Sequence, residues 1–373
     1  MYSFASKLIL IICFALFISA NVGAQEKRLN VSKGDKLTVN INYGEITITT
    51  WDKNQIVIKS DAEDDENENG LKINQSGNTI TVNGGASGSD VTISAPSNFN
   101  FDVKTNAGSV VIKGNITGKV NLNTSGGDIA ADNIYGTINA TTSGGNISIH
   151  NVKGGGNLNS AGGDLTVGDI EGDLVLTTGG GNVKAGKISK SLKLKTGGGN
   201  ILVNEIVNDA VVNTGGGNIL IDKSGSKIDL TTGGGDIRIN VPKGEMTAKT
   251  GSGTINIQNA SNKMNIFTGS GDAEISFVQN YKGNSDIKSS NGDIKLYLPA
   301  NIKATIITNV RGWKSSDNGD SGIDNIISDF KASTVNLHNN DNAVTATAIY
   351  QINGGGNNIN LTVSNGYIYL KRK

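Results

Sequence analysis

Aliphatic side chains return at five fixed places in every 18 residues along the middle of this chain. Each unit is counted from a Thr or Ser as position 0, and the aliphatic places are then 5, 7, 10, 14 and 16. They are Val183, Ala185, Ile188, Leu192 and Leu194 in the unit from Thr178, and Ile255, Ile257, Ala260, Met264 and Ile266 in the unit from Thr250. The pairs 5/7 and 14/16 alternate with polar residues, the period of a strand with one buried face. No stretch sustains a period of about 3.6 residues. Each unit therefore reads as two short strands joined by turns, with one more inward residue at a corner. One such unit cannot bury its apolar face alone, but units stacked about 4.8 Å apart can. The pattern predicts an all-β fold, a single parallel β-helix or β-solenoid of 18-residue coils, with the right-handed coil preferred to the left-handed one.

A short phrase marks the register. Thr-x-Gly-Gly-(Asp/Asn)-aliphatic, with small departures, begins at Thr124, Thr142, Ser160, Thr178, Thr196, Thr214, Thr232, Thr250 and Thr268. A constant interval of this size is the mark of a repeat architecture. Position 3 is glycine in all nine copies: Gly127, Gly145, Gly163, Gly181, Gly199, Gly217, Gly235, Gly253 and Gly271. Position 2 accepts Ser252 and Ser270, and position 1 accepts Ser125, Ser143 and Ala161. A residue required at one slot and relaxed beside it points to a backbone need, so these are read as structural turn glycines with positive φ at position 3. Looser units begin at Thr105, at Ala86 and, after a three-residue insertion, at Ser289. Pro96, Pro242 and Pro299 all fall at position 10, where a corner can spare one ladder N–H.

The ends depart from the period. Residues 1–24 read as a signal peptide, with Lys7 before an apolar run over 8–18 and Val22-Gly23-Ala24 at the cleavage site. That run is shorter than the about 20 residues a membrane span needs. Residues 25–104 are expected to form an N-terminal cap and the first irregular coils, with an acidic loop at 61–70, a hairpin over 71–82 and Trp51 as a cap residue. Residues 105–312 are the regular solenoid. Residues 313–345 read as an irregular insert with a short helix near 323–330, and 346–373 as C-terminal coils and cap. Atypical caps are expected because bare sheet edges aggregate.

Composition narrows the chemistry. The chain has 33 Lys+Arg and 33 Asp+Glu, and a balance near zero argues against nucleic acid as a partner. Cys13, the only cysteine, lies in the leader, so the mature chain has no disulfide and no thiol nucleophile, and no later segment is apolar enough to span a membrane. Position 4 carries Asp128, Asn146, Asp164, Asn182, Asn200, Asn218, Asp236, Thr254 and Asp272. Calcium-binding β-rolls also repeat every 18 residues, but their motif recurs in both half-coils; here no two neighbours among these nine are both Asp. The row is therefore read as a structural ladder, with no metal and no cofactor. The Thr row points inward or to the corner, unlike the flat outward face of ice-binding solenoids. His150 and His338 stand apart and acidic residues are spread at repeat spacing, so no catalytic cluster is expected. Lys184, Lys187, Lys190, Lys193 and Lys195 fall within one coil and form a candidate patch for an anionic ligand.

The opening Tyr43-Gly44-Glu45-Ile46-Thr47-Ile48 with Trp51-Asp52, the repeated Gly-Gly-(Asp/Asn)-Ile units and the closing Asn365-Gly366-Tyr367-Ile368-Tyr369-Leu370 resemble the bacterial "putative adhesin" β-strand-repeat family, a domain of unknown function in envelope proteins. The resemblance covers about residues 30–370 and implies a β-helical envelope protein, with no catalytic residues to carry over. The expected function is that of an exported, non-enzymatic adhesin or scaffold of the periplasm, outer surface or exterior, whose partner is a surface glycan, the matrix or another envelope protein. The alternatives are an accessory protein of envelope-stress signalling and a polysaccharide-active β-helix enzyme.

Overall fold

The computed structural model describes residues 25–60, 71–84, 90–313, 323–340 and 343–373. The expected leader and the acidic loop lie outside the described residues. Those described form strands and turns, with no helix among them. Two sheets face each other, and the repeat explains both. Positions 5–10 of each unit add a strand to the first sheet, and position 14 through the next position 0 add one to the second. Neighbouring strands are parallel and offset by one unit, as in Ile201↔Ile219 on the first sheet and Leu192↔Ala210 on the second. Inward residues of both sheets merge into one core, in which Val183, Ala185, Ile188, Leu192 and Leu194 are all buried. The chain is thus the β-solenoid that the aliphatic period predicts.

The recurring phrase bonds each coil to the one before it. The buried hydroxyl of Thr196 donates to the carbonyl of Gly181 at 2.8 Å and accepts the N–H of Gly199 at 3.2 Å. Thr142, Ser160, Thr178, Thr214, Thr232 and Thr250 bridge in the same way. Position 4 adds a second line. Asn182 Oδ1 accepts the N–H of Asn200 at 2.9 Å, and Asp236 Oδ1 accepts the N–H of Thr254 at 2.8 Å. These Asp and Asn side chains thus satisfy backbone donors of the next turn, which would otherwise face outward unpaired.

The position-3 glycines are needed for space and not for positive φ. None of the nine lies in the left-handed region, contrary to the sequence expectation. A Cβ on Gly199 would stand 2.0 Å from the carbonyl oxygen of Gly181, and the other eight would meet the preceding coil's glycine carbonyl at 1.9–2.2 Å. The coils touch backbone to backbone at this line, and any side chain would force them apart. Position 2 is open, with nothing within 4 Å of a Cβ on Gly180, Gly198, Gly216 or Gly234. Position 1 splits the run. Ser125, Ser143 and Ala161 carry side chains, whereas a Cβ on Gly179, Gly197 or Gly215 would approach the carbonyl below to 1.9–2.0 Å.

Both ends reorder the coils. The strands Lys36–Tyr43 and Ile46–Trp51 form the first coil in sequence, yet they pair directly with Asn100–Ala107 and Val110–Lys113 of the regular run. The later strands Thr79–Asn83 and Val91–Pro96 lie on the outer side of that coil. The unit from Ala86 therefore does not lie next to the unit from Thr105, and Trp51 belongs to a tucked-in coil rather than the outermost layer. Its indole N–H donates to the carbonyl of Gln55 at 2.8 Å. The C-terminal end mirrors this. Asn357–Asn365 and Ile368–Arg372 stack directly on Ser285–Asn291 and Ile294–Leu298, and the earlier strand Ala304–Trp313 lies outside them. The first and last coils are each held between the stack and a cap made from intervening chain.

The hairpin is present, with Lys72–Ser76 antiparallel to Thr79–Asn83. The helix expected near 323–330 is absent. The strand Ile326–Ser328 stands there, pairing with Ile368–Arg372, because this stretch serves as the last rung of the first sheet. The insertion before Ser289 is absorbed by Tyr281, which is buried edge-on against Phe277, with ring centroids 4.8 Å apart, and hydrogen-bonded to Ser285. Burial pushes its phenol up to about 12.

Candidate functional site

The solenoid interior is filled by side chains, so any ligand must meet the outer ladders. On the second sheet, positions 15 and 17 point outward, because they alternate with the inward 14 and 16. Position 15 runs Val175, Lys193, Val211 and Asp229 over four successive coils. Val175 and Val211 are exposed and line a shallow groove of about 610 Å³ with Asp173, Lys193, Asp209 and Asp229. Ser191 donates both its hydroxyl and its N–H to Asp173, at 2.6 and 3.1 Å. These bonds, with the nearby Lys190 charge, hold the Asp173 carboxyl below its ordinary range.

Farther along the same face, Phe267 occupies position 17, where the other eight coils carry a polar or charged residue. Its ring is 42% exposed, and its register partners on either side are Lys249 and Lys288. The three residues, with Thr247, Asn265 and Asp286, line a groove of about 630 Å³. Neither lysine makes an ion pair among the described residues. Asp286 accepts a hydrogen bond from Asn360 at 3.0 Å. A lone aromatic in an otherwise polar outward row is a signal the sequence contained.

The five lysines of the proposed patch do not converge. Lys184 and Lys187 lie on the strand Val183–Ile188 of the first sheet, while Lys193 and Lys195 lie on Leu192–Thr196 of the second. Lys190 is on the turn between, so the five charges encircle the coil. Lys187 is paired with Glu205 of the next coil at 3.4 Å. Closeness in sequence misleads here because one coil carries the chain from one face of the molecule to the other. Lys184 instead borders a first-sheet groove of about 540 Å³ that also holds His150 and Asp169. His338 lies exposed on the strand Thr334–Asn340, far from His150 along the stack.

The alternation that separates carboxylates at position 4 ends at Asp272, whose neighbour on the next coil is Asp293. Lys295 fills that gap, with Nζ 2.8 Å from Asp272 Oδ2. Burial raises the Asp272 carboxyl, but the Lys295 bond and the Asp293 N–H outweigh it and leave the group below its usual value. The same bond to Asp272 raises Lys295. Among the described residues no group of three or more His, Cys, Asp and Glu is placed to hold a metal ion, and no helix is long and apolar enough to cross a membrane.

Residues 156–329 match the Toastrack DUF4097 family, a domain of unknown function, in keeping with the resemblance read from the repeats. Among solved structures, a putative adhesin from Parabacteroides merdae shares 14% identity over 69% of this chain and 97% of its own, with a TM-score of 0.29. A putative adhesin from Parabacteroides distasonis shares 11% over 74% and 97%, with a TM-score of 0.25. A putative cell adhesion protein from Clostridium sporogenes shares 9% over 94% and 100%, with a TM-score of 0.16. No curated protein matches the chain.

Proposed function

We propose that this protein is an exported, non-enzymatic adhesin or scaffold of the cell envelope that grips an extended anionic glycan along the outer face of its second sheet. The observation that carries this reading is Phe267, exposed and in register between Lys249 and Lys288. An aromatic face covers the C–H side of a sugar ring, and unpaired ammonium groups on both sides suit carboxylates or sulfates along a polymer. Parallel rungs repeat about every 4.8 Å, so a chain laid along the axis meets new ladder residues at each step. Such contacts are individually weak and gain by repetition.

The test uses the chain from Gln25 and polygalacturonate, with neutral dextran as control. Binding to polygalacturonate alone is expected, weakening as salt rises because exposed charges are screened. Phe267→Ala and the double variant Lys249→Gln/Lys288→Gln should each weaken it about tenfold, equal to about 1.4 kcal/mol. Equal binding to dextran, or variants that bind like the parent, would count against the reading. Export is checked separately by fractionating the producing cells.

A further inference from the structure

Among the described residues the sheets end in four edge strands, and three of them are guarded. Gln25–Asn30 closes the first sheet at the N-terminal end, and its Glu26 pairs with Arg28 of the same strand at 2.6 Å and with Lys59 of the adjoining strand at 3.1 Å. Lys72–Ser76 closes the second sheet there, and Gln75 is tied across to the Asn30 carbonyl at 3.2 Å. At the C-terminal end, Ile326–Ser328 is only three residues long. Charge, cross-ties and shortness are the devices by which proteins keep an edge from recruiting another strand.

The fourth edge has none of them. Thr334–Asn340 is seven residues long, reads TVNLHNN and contains no Asp, Glu, Lys or Arg. One side pairs antiparallel with Ala343–Ile352, and the other has no strand partner among the described residues. Val335 and Leu337 are 48% and 49% exposed. In register they face Ala348 and Ala346, both fully buried, so they lie on the core-facing side of the second sheet. That sheet continues two strands beyond Ala304–Trp313, while the first sheet ends at Ile326–Ser328. Val335 and Leu337 are thus core-side residues without an opposing layer among the described residues.

We propose that Thr334–Asn340 pairs antiparallel with the same strand of a second copy of this chain, joining two solenoids end to end about a two-fold axis through Asn336. The sequence is self-complementary in that register. Val335 lies opposite Leu337 of the second copy and Leu337 opposite its Val335, which puts four apolar side chains together on the core side. An axis normal to the sheet keeps both core faces on the same side, so the two cores meet at this cluster. The contact is isologous and closes at two copies, because each chain has one such edge. A heterologous peptide strand would use the same backbone groups, but would match Val335 and Leu337 only if it carried apolar residues in the same register, which a second copy does by symmetry.

The experiment is sedimentation velocity on the chain from Gln25. The parent is expected to run as a dimer at high concentration and Leu337→Lys as a monomer. Leu337 is half exposed, so that variant should keep the parent's circular dichroism and melting temperature. The register is tested by Asn336→Cys, which is the sole cysteine of such a sample. Facing residues of a two-fold strand pair have Cβ atoms about 4.5–5.5 Å apart, and mild oxidation should give a covalent dimer. Gln75→Cys, on the opposite edge, should stay monomeric under the same conditions. A parent that is monomeric at all concentrations, a dimer indifferent to Leu337→Lys, growth into larger aggregates, or cross-linking through residue 75 rather than 336 would each overturn the proposal. None of these outcomes depends on whether a glycan binds.

Discussion

Gly199, in the middle of the stack, and Gly77, in the N-terminal cap, look alike in sequence and are required for opposite reasons. Gly199 has ordinary φ but no room, because the Gly181 carbonyl lies where its side chain would be. Gly77 has all the room it needs, with nothing within 4 Å of a Cβ, but a φ of 53°. Gly199 is limited by the closeness of one turn to the next, and Gly77 by local chain reversal. Substitution at the first depends on the space the neighbouring coil leaves, and at the second on whether the new residue accepts the backbone conformation.

The largest effect that would break this contrast is expected at the rung line. Gly199→Ala should cost about 3–5 kcal/mol, since the overlap is with backbone that cannot move without parting two coils. Its neighbour Gly198→Ala should stay within about 0.5 kcal/mol. Coils of a solenoid need not unfold together, so the readout is hydrogen exchange at the amides of the flanking strands as well as calorimetry. Equal effects at the two glycines would defeat the spatial argument. Next is Thr196→Val, which removes the hydroxyl joining Gly181 to Gly199 and leaves two buried backbone groups unpaired, at about 2–3 kcal/mol. The smallest effect is in the cap. Gly77→Ala should cost about 1 kcal/mol, and Gly77→Asn should recover most of it, because Asn tolerates the left-handed region. A hairpin that melts no earlier with Ala would show that φ is not the constraint there.

The same contrast separates what could be read from the chain from what could not. The five aliphatic positions, the two strands per unit, the inward Thr row and the hairpin at Gly77-Asn78 are local periodic facts, and the structure has each where the period puts it. The position-3 requirement was visible as a requirement, but its cause was not, since the atom that excludes a side chain belongs to the coil before. The lysine patch failed for a related reason. Five charges close in sequence are carried around a coil, whereas Lys249, Phe267 and Lys288, far apart in sequence, stand side by side.

The sequence by itself determined the repeat, the identity of the core and the polar ladders that bind coil to coil, because an 18-residue period forces like residues into register. Only the tertiary structure decided the order of coils at the two ends. Lys36 pairs with Asn100 and Ser285 with Ile359, across long intervening segments whose own repeat units are loose and do not say which coil they lie beside. Parallel strands match through backbone groups that every residue shares, so which coil lies beside which is settled by packing and by the edges left open. The same packing left Thr334–Asn340 as the unguarded edge.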